Sequence, residues 1–187
     1  MTDRDRLLAL LAARSVRFGD FVLSSGGRSD YYIDARTTTM SAEGQLLVGS
    51  VGYALIRSAG LEPTHVGGLT MGADPVSYAI AHRSALEGAP IDGFSVRDKP
   101  KEHGTGQRVE GGLPEGARCV VVEDAVSTGR SILIAADAVR DARAEVVALL
   151  TLIDREQGGR EAIEAVGYHF HAFFTAGEVL AAAHSAA

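Results

Sequence analysis

Two acids and a hydroxyl-rich turn stand together in RCVVVEDAVSTGRS, residues 118–131. Glu123 and Asp124 follow an apolar run that reads as a strand buried on both faces, so the carboxylates fall where that strand is expected to emerge. Residues 127–131 then form a turn that becomes the first turn of a helix, where unpaired backbone N–H groups and the helix dipole favour an anion. A phosphate monoester fits such a turn. No GxxxxGKS/T occurs, which excludes a nucleoside-triphosphate loop of the Walker type. Two ionised carboxylates beside that phosphate accept hydrogen bonds from vicinal sugar hydroxyls and stabilise positive charge growing on the ring carbon. One alternative is an acid pair that merely caps a helix. A phospho-acceptor receiver domain is another, although there the paired acids follow the first strand.

Eighteen residues are basic, and all but Lys99 and Lys101 are arginine. Lysine is a compact charge on a flexible stem and arginine a planar fork, so lysines confined to one short window suit a mobile group that meets a moving charge; two solvated surface lysines are the alternative. That window lies in residues 97–117, which hold five glycines and two prolines. So long a stretch without regular structure is uncommon inside a compact domain and marks a lid, with pairing expected around residues 108–110.

Regular elements must position these groups. Apolar positions at helical spacing predict a helix over 3–14, followed by extended segments at 18–23 and 31–33 split by Gly26 and Gly27. Ser41 is the expected N-cap of a helix reaching about residue 58. Strands are expected at 65–69, 92–96, 118–122 and 146–153, and helices at 75–86, 129–143 and 159–166. A last strand at 168–174 leads into TAGE (175–178), a capping box that opens a short helix. Such alternation predicts an α/β fold, a mostly parallel central sheet flanked by helices in one domain of 187 residues. In such sheets ligands gather beyond the carboxyl ends of the strands, so TMGADP (70–75), RDKPKEHG (97–104), the acid-rich turn and DREQGG (154–159) should share one rim.

Composition narrows the partners. A net charge of −6 argues against nucleic acid and anionic membranes, which demand a basic face. The single cysteine, Cys119, sits in an apolar run and reads as an inert core thiol. The first fifteen residues read as an amphipathic helix rather than a signal peptide, no apolar run is long enough to span a bilayer, and the cytoplasm is the expected compartment. His169 and His171 alternate on a predicted strand without a third ligand, so no metal site is expected there.

The chain resembles the type I phosphoribosyltransferases in VVVEDAVSTGRS, whose pattern is an apolar strand, two acids and a Thr/Ser-Gly phosphate loop. SSGGRSDYYID (24–34), VRDKPKEHGTG (96–106) and LIDREQGGREAIEAVG (152–167) narrow the likeness to the orotate phosphoribosyltransferase family. Together with GGLTMGADP these motifs stand in the family's order and cover nearly the whole chain.

The resemblance implies magnesium-dependent transfer of ribose 5-phosphate from phosphoribosyl pyrophosphate to orotate, with Mg2+ held mainly by substrate oxygens. It implies a homodimer with shared active sites, an N-terminal hood over residues 1–40 and a flexible lid over 97–117. By the same likeness Arg97, Lys101 and His103 of the lid and Asp124 are catalytic. Phosphoribosyl pyrophosphate falls to Thr70, Met71, Arg97, Asp98, Lys99, Lys101, His103, Glu123, Asp124, Ala125, Val126, Ser127, Thr128, Gly129, Arg130 and Ser131. Orotate falls to Ser24, Tyr31, Tyr32, Ser127 and Arg155, the arginine gripping its carboxylate unless it pairs with Asp154 instead.

Ser24, Met71 and Asp98 stand where the family often has lysine, and Lys99 is the expected substitute for the cation missing at Asp98. Ser127 stands for a threonine and keeps the hydroxyl. The alternatives are a nucleotide-binding regulator of the same fold with little catalysis and a purine phosphoribosyltransferase.

Overall fold

The computed structural model describes residues 1–22, 27–99 and 108–186. Helix α1 (Asp3–Ser15) is opened by a capping box between Thr2 and Asp5 and runs into a hairpin of β1 (Val16–Val22) and β2 (Arg28–Ile33), paired antiparallel. The short α2 (Arg36–Thr39) precedes α3 (Ala42–Ser58), whose N-cap Ser41 accepts a hydrogen bond from the N–H of Gly44. Then come β3 (His65–Leu69), α4 (Ala73–Leu86), β4 (Asp92–Val96), β5 (Val109–Glu110) and β6 (Arg118–Val126). The chain closes with α5 (Arg130–Asp141), β7 (Glu145–Asp154), α6 (Gly159–Ala165), β8 (Phe170–Thr175) and α7 (Ala176–Ala186).

The main sheet has the order β5-β4-β3-β6-β7-β8, parallel except for β5 against β4. Strand alternation divides its side chains between two cores. Val66, Val120, Val122 and Leu150 pack with Leu7, Leu47, Ile80 and Val179 of α1, α3, α4 and α7. Cys119, Val121, Leu149 and Phe94 pack with Ile132, Val139 and Ile163 of α5 and α6. Burial on both faces explains the unbroken apolar runs. Cys119 is fully buried, and burial, reinforced by the charge of Glu145, pushes its thiol up to about 12.

Several boundaries differ from expectation by a few residues, and two of the differences have a clear cause in the backbone pairing. β6 continues four residues past Val122, because its ladder with β7 pairs Glu123 with Thr151 and Val126 with Asp154 even though pairing with β3 stops at Val121. α5 ends at Asp141, after which Arg143 takes a left-handed φ of 59° and the N–H of Ala144 returns to the carbonyl of Val139 at 3.2 Å.

Candidate active site at the carboxyl rim of the sheet

Glu123 and Asp124 lie inside the last stretch of β6 rather than beyond it. Glu123 is only 6% exposed, and burial, followed by the charge of Asp124, raises its pKa to about 9. Burial also raises Asp124, offset by the hydrogen bond to Glu123 and by the positive charge of Arg36. Burial and the neighbouring charge therefore favour a proton held on the pair, chiefly at Glu123, so that it offers a donor beside its acceptors. Neither acid forms an ion pair with an arginine among the described residues; Arg36 itself is forked onto Asp34 at 2.9 and 3.2 Å.

Past Val126 the chain turns through Ser127, Thr128 and Gly129, the last at a φ of +81°, and enters α5 at Arg130. No side chain caps this helix start, so its first N–H groups remain open to a ligand. A cavity of about 110 Å³ follows the turn from Glu123 to Ile132. Ala125, Val126, Thr128 and Ser131 line it too. Gly159 supports the turn from below: a Cβ there would stand 2.6 Å from the carbonyl oxygen of Ser127 and from Cγ1 of Val126.

The loop between β3 and α4 meets the acids from the other side. A Cβ on Gly72 would lie 2.6 Å from Oδ1 of Asp124 and 2.8 Å from Oε1 of Glu123, so only glycine leaves the pair reachable. The loop starts with Thr70, whose N–H donates to the carbonyl of Val96 at 2.8 Å, and a cis peptide joins Thr70 to Met71. Met71 is exposed and lines a cleft of about 420 Å³ with Arg14, Arg36, Met40 and Ser41.

Arg155 follows β7, and its N–H donates to the carbonyl of Val126 at 2.8 Å, which sets it beside the turn. Asp154, 2% exposed, pairs with Arg160 at 3.3 Å rather than with Arg155. It also accepts the N–H of Glu156 at 2.9 Å, while Glu156 accepts the N–H of Gly177 at 3.0 Å. The loop is thus fixed at both ends while Nε of Arg155 is buried with no protein partner.

On the hairpin, alternation places Tyr31 and Tyr32 on opposite faces. Tyr31 packs on the core and lines a cleft of about 790 Å³ that Gln157 borders, whereas Tyr32 is 37% exposed and stacks against Phe21 with centroids 5.7 Å apart. Ile33 is core.

Arg97, Asp98 and Lys99 leave the end of β4. The N–H of Arg97 donates to the carbonyl of Arg108 at 2.8 Å, its side chain meets Glu110 at 3.6 Å, and Arg108 returns hydrogen bonds to the carbonyls of Arg97 and Asp98. Asp98 and Lys99 are exposed. Ser24, Lys101 and His103 lie outside the described residues. Sequence reasoning missed the supporting role of Gly159, whose signal was the second glycine of DREQGG, and it read Thr70–Asp74 for its backbone N–H groups alone.

The family profile described as phosphoribosyl transferase domain matches residues 44–169. The orotate phosphoribosyltransferase of Aquifex aeolicus is 42% identical over 183 residues, 96% of this chain and 99% of that protein. The Streptomyces coelicolor orotate phosphoribosyltransferase is 48% identical over 165 residues, 88% of this chain and 90% of that one. The crystal structure of Mycobacterium tuberculosis orotate phosphoribosyltransferase in complex with 5-phospho-alpha-D-ribosyl 1-diphosphate superposes with a TM-score of 0.81 at 38% identity, covering 95% of this chain and 99% of that one.

Proposed function

The chain belongs to the phosphoribosyltransferase family, among the orotate phosphoribosyltransferases, and from that membership we propose that it transfers ribose 5-phosphate from phosphoribosyl pyrophosphate to orotate, giving orotidine 5′-phosphate and pyrophosphate. One observation carries the reading: buried Glu123 and half-buried Asp124 run without interruption into a turn whose amides no side chain caps, and a cavity of about 110 Å³ follows that turn from Glu123 onward.

In this reading the 5′-phosphate takes the N–H groups of residues 127–131, and the ribose hydroxyls take Glu123 and Asp124. The bond from the ring carbon to pyrophosphate breaks, its electron pair leaving with the pyrophosphate, while a ring nitrogen of orotate bonds to the same carbon and its proton passes to the released pyrophosphate or solvent. The carbon gains positive charge midway, and the charge of Asp124 stabilises it. No nucleophile from the protein is needed, only orientation and the exclusion of water. Arg97, Lys99, Lys101 and His103 gather on the departing pyrophosphate as the lid closes, and the loop at Thr70 and Met71 meets it from the acid side.

Arg155 grips the orotate carboxylate with its planar fork, which gives its orphaned Nε a partner. Ser127 and Ser24 hold the base, and Tyr31 walls it from the cleft that Gln157 borders, whereas Tyr32, on the other face of the hairpin, packs on Phe21 instead.

Among the described residues no cluster of three or more His, Cys, Asp or Glu side chains could hold a metal ion. Glu123 and Asp124, close to the loop at Gly72, are the hard oxygen groups that would face a magnesium ion carried by substrate oxygens. When bound, Mg2+ offsets the charge of the pyrophosphate.

By the same family reading the working form is a cytoplasmic homodimer whose lids reach the neighbouring site. Each copy is one domain with its hood at residues 1–40 and its lid at 97–117. Among the described residues no helix is long and apolar enough to cross a membrane. Incubation with phosphoribosyl pyrophosphate, Mg2+ and orotate, uracil or hypoxanthine in turn tests the proposal. Pyrophosphate release with orotate alone supports it. Release with hypoxanthine makes the chain a purine enzyme, and tight nucleotide binding without release makes it a regulator.

A further inference from the structure

Asp74 opens the first turn of α4, where an acid usually does no more than complement the helix dipole. Its carboxylate has other partners. Oδ2 accepts the hydroxyl of Thr70 at 2.7 Å and Oδ1 accepts the hydroxyl of Ser95 at 2.5 Å, while Ser95 shares a further hydrogen bond of 2.7 Å with the phenol of Tyr78, one turn along α4. Among the described residues no backbone N–H donates to this carboxylate, so helix capping does not account for its position.

The geometry points to Asp74 as the positioning residue of the leaving-group end of the site: it closes the loop of residues 70–73 on itself through Thr70 and fastens that loop to the end of β4 through Ser95. Two facts support this role. The loop lies against the acid pair at Gly72, where a Cβ would stand 2.6 Å from Asp124, so a shift of the loop changes what the acids can reach. Ser95 precedes by two residues Arg97, where the lid begins, so one carboxylate sets the spacing between the two segments that meet the pyrophosphate.

The inference rests on the proposed function and predicts a split between the substrates. Asp74→Ala and Ser95→Ala should raise the KM for phosphoribosyl pyrophosphate, and its Kd measured by calorimetry without base, about tenfold, with the KM for orotate held within about twofold. Asp74→Asn should fall between wild type and Asp74→Ala, since hydroxyls rotate to suit a remaining carbonyl oxygen. Ser95→Ala removes only a hydroxyl and keeps the test valid if Asp74→Ala fails to fold. Equal rises in both KM values, or unchanged affinity for phosphoribosyl pyrophosphate in Ser95→Ala, overturn the inference. If the wild-type protein binds phosphoribosyl pyrophosphate but transfers nothing to orotate, the proposed function falls, and the calorimetry still decides the role of Asp74. Absence of binding to wild type overturns both.

Discussion

Glu123 turns its side chain back along β6 so that Oε1 accepts a hydrogen bond from the backbone N–H of Asp124 at 3.2 Å. The carboxyl is buried, and its pKa rises from 4.5 to about 9, first by burial and then by the charge of Asp124. An unfolded chain loses this proton near the ordinary glutamate value, whereas the folded chain keeps it to about 9. Between those values the native state binds more protons than the unfolded one, so this group's contribution to stability is full below 4.5 and is lost as pH rises through about 9. Thermal melts of the ligand-free protein across that window should show a decline that Glu123→Gln, permanently neutral, flattens. Parallel curves for the two proteins would contradict the assigned proton.

Gly159→Ala should disturb the phosphate turn without touching any ligand. The new methyl would meet the backbone of Ser127 and the side chain of Val126 at 2.6 Å, and backbone yields poorly. A loss of about 1–3 kcal/mol in stability is expected from such overpacking. Chemical denaturation gives that number, and the KM for phosphoribosyl pyrophosphate should rise with it. An unchanged KM would mean that the turn is not set by this contact.

Arg155→Lys keeps the charge and loses the planar fork. With Nε buried and unpartnered, the site has no other protein group to satisfy, so the cost should fall on the base. Steady-state kinetics should show the KM for orotate raised roughly ten- to a hundredfold with the KM for phosphoribosyl pyrophosphate unaltered. A change confined to the sugar substrate would move Arg155 away from the carboxylate.

Lys99→Ala should lower kcat at least about tenfold if this cation answers the departing pyrophosphate in place of a lysine at Asp98. Arg97 is already engaged with Glu110, and the backbone of Arg97 and Asp98 is fixed by Arg108, which leaves Lys99 next to a firm anchor. Turnover equal to wild type would remove Lys99 from the reaction.

Much of this architecture was legible because burial and local chemistry agree. β3 and β4 begin and end at the expected residues, and the box at Thr175 and Glu178 closes with reciprocal hydrogen bonds of 2.8 and 3.2 Å. The misreadings share a cause: tertiary contacts that leave no local mark. Acids suggested that β6 stops at Val122, yet the neighbouring β7 supplies ladder partners to Val126. Helix α2 lacks a capping side chain, and its first residues follow Ala35, already helical at φ −59°, so nothing in the sequence announced it. Arg143 ends α5 in a conformation usually given to glycine. In the site, the acid pair and the turn were readable as a contiguous motif. The protonated state of Glu123 was not, because it depends on how deeply β6 is buried, and the link from Asp74 to Ser95 joins residues that only the fold brings together.

The depth of Cys119 has a practical consequence. As the chain's lone cysteine, with its thiolate suppressed, it is silent toward maleimide dyes and spin labels. A second cysteine introduced on the surface could therefore carry a reporter at one known address, with no need to strip the native sulfur from the core first.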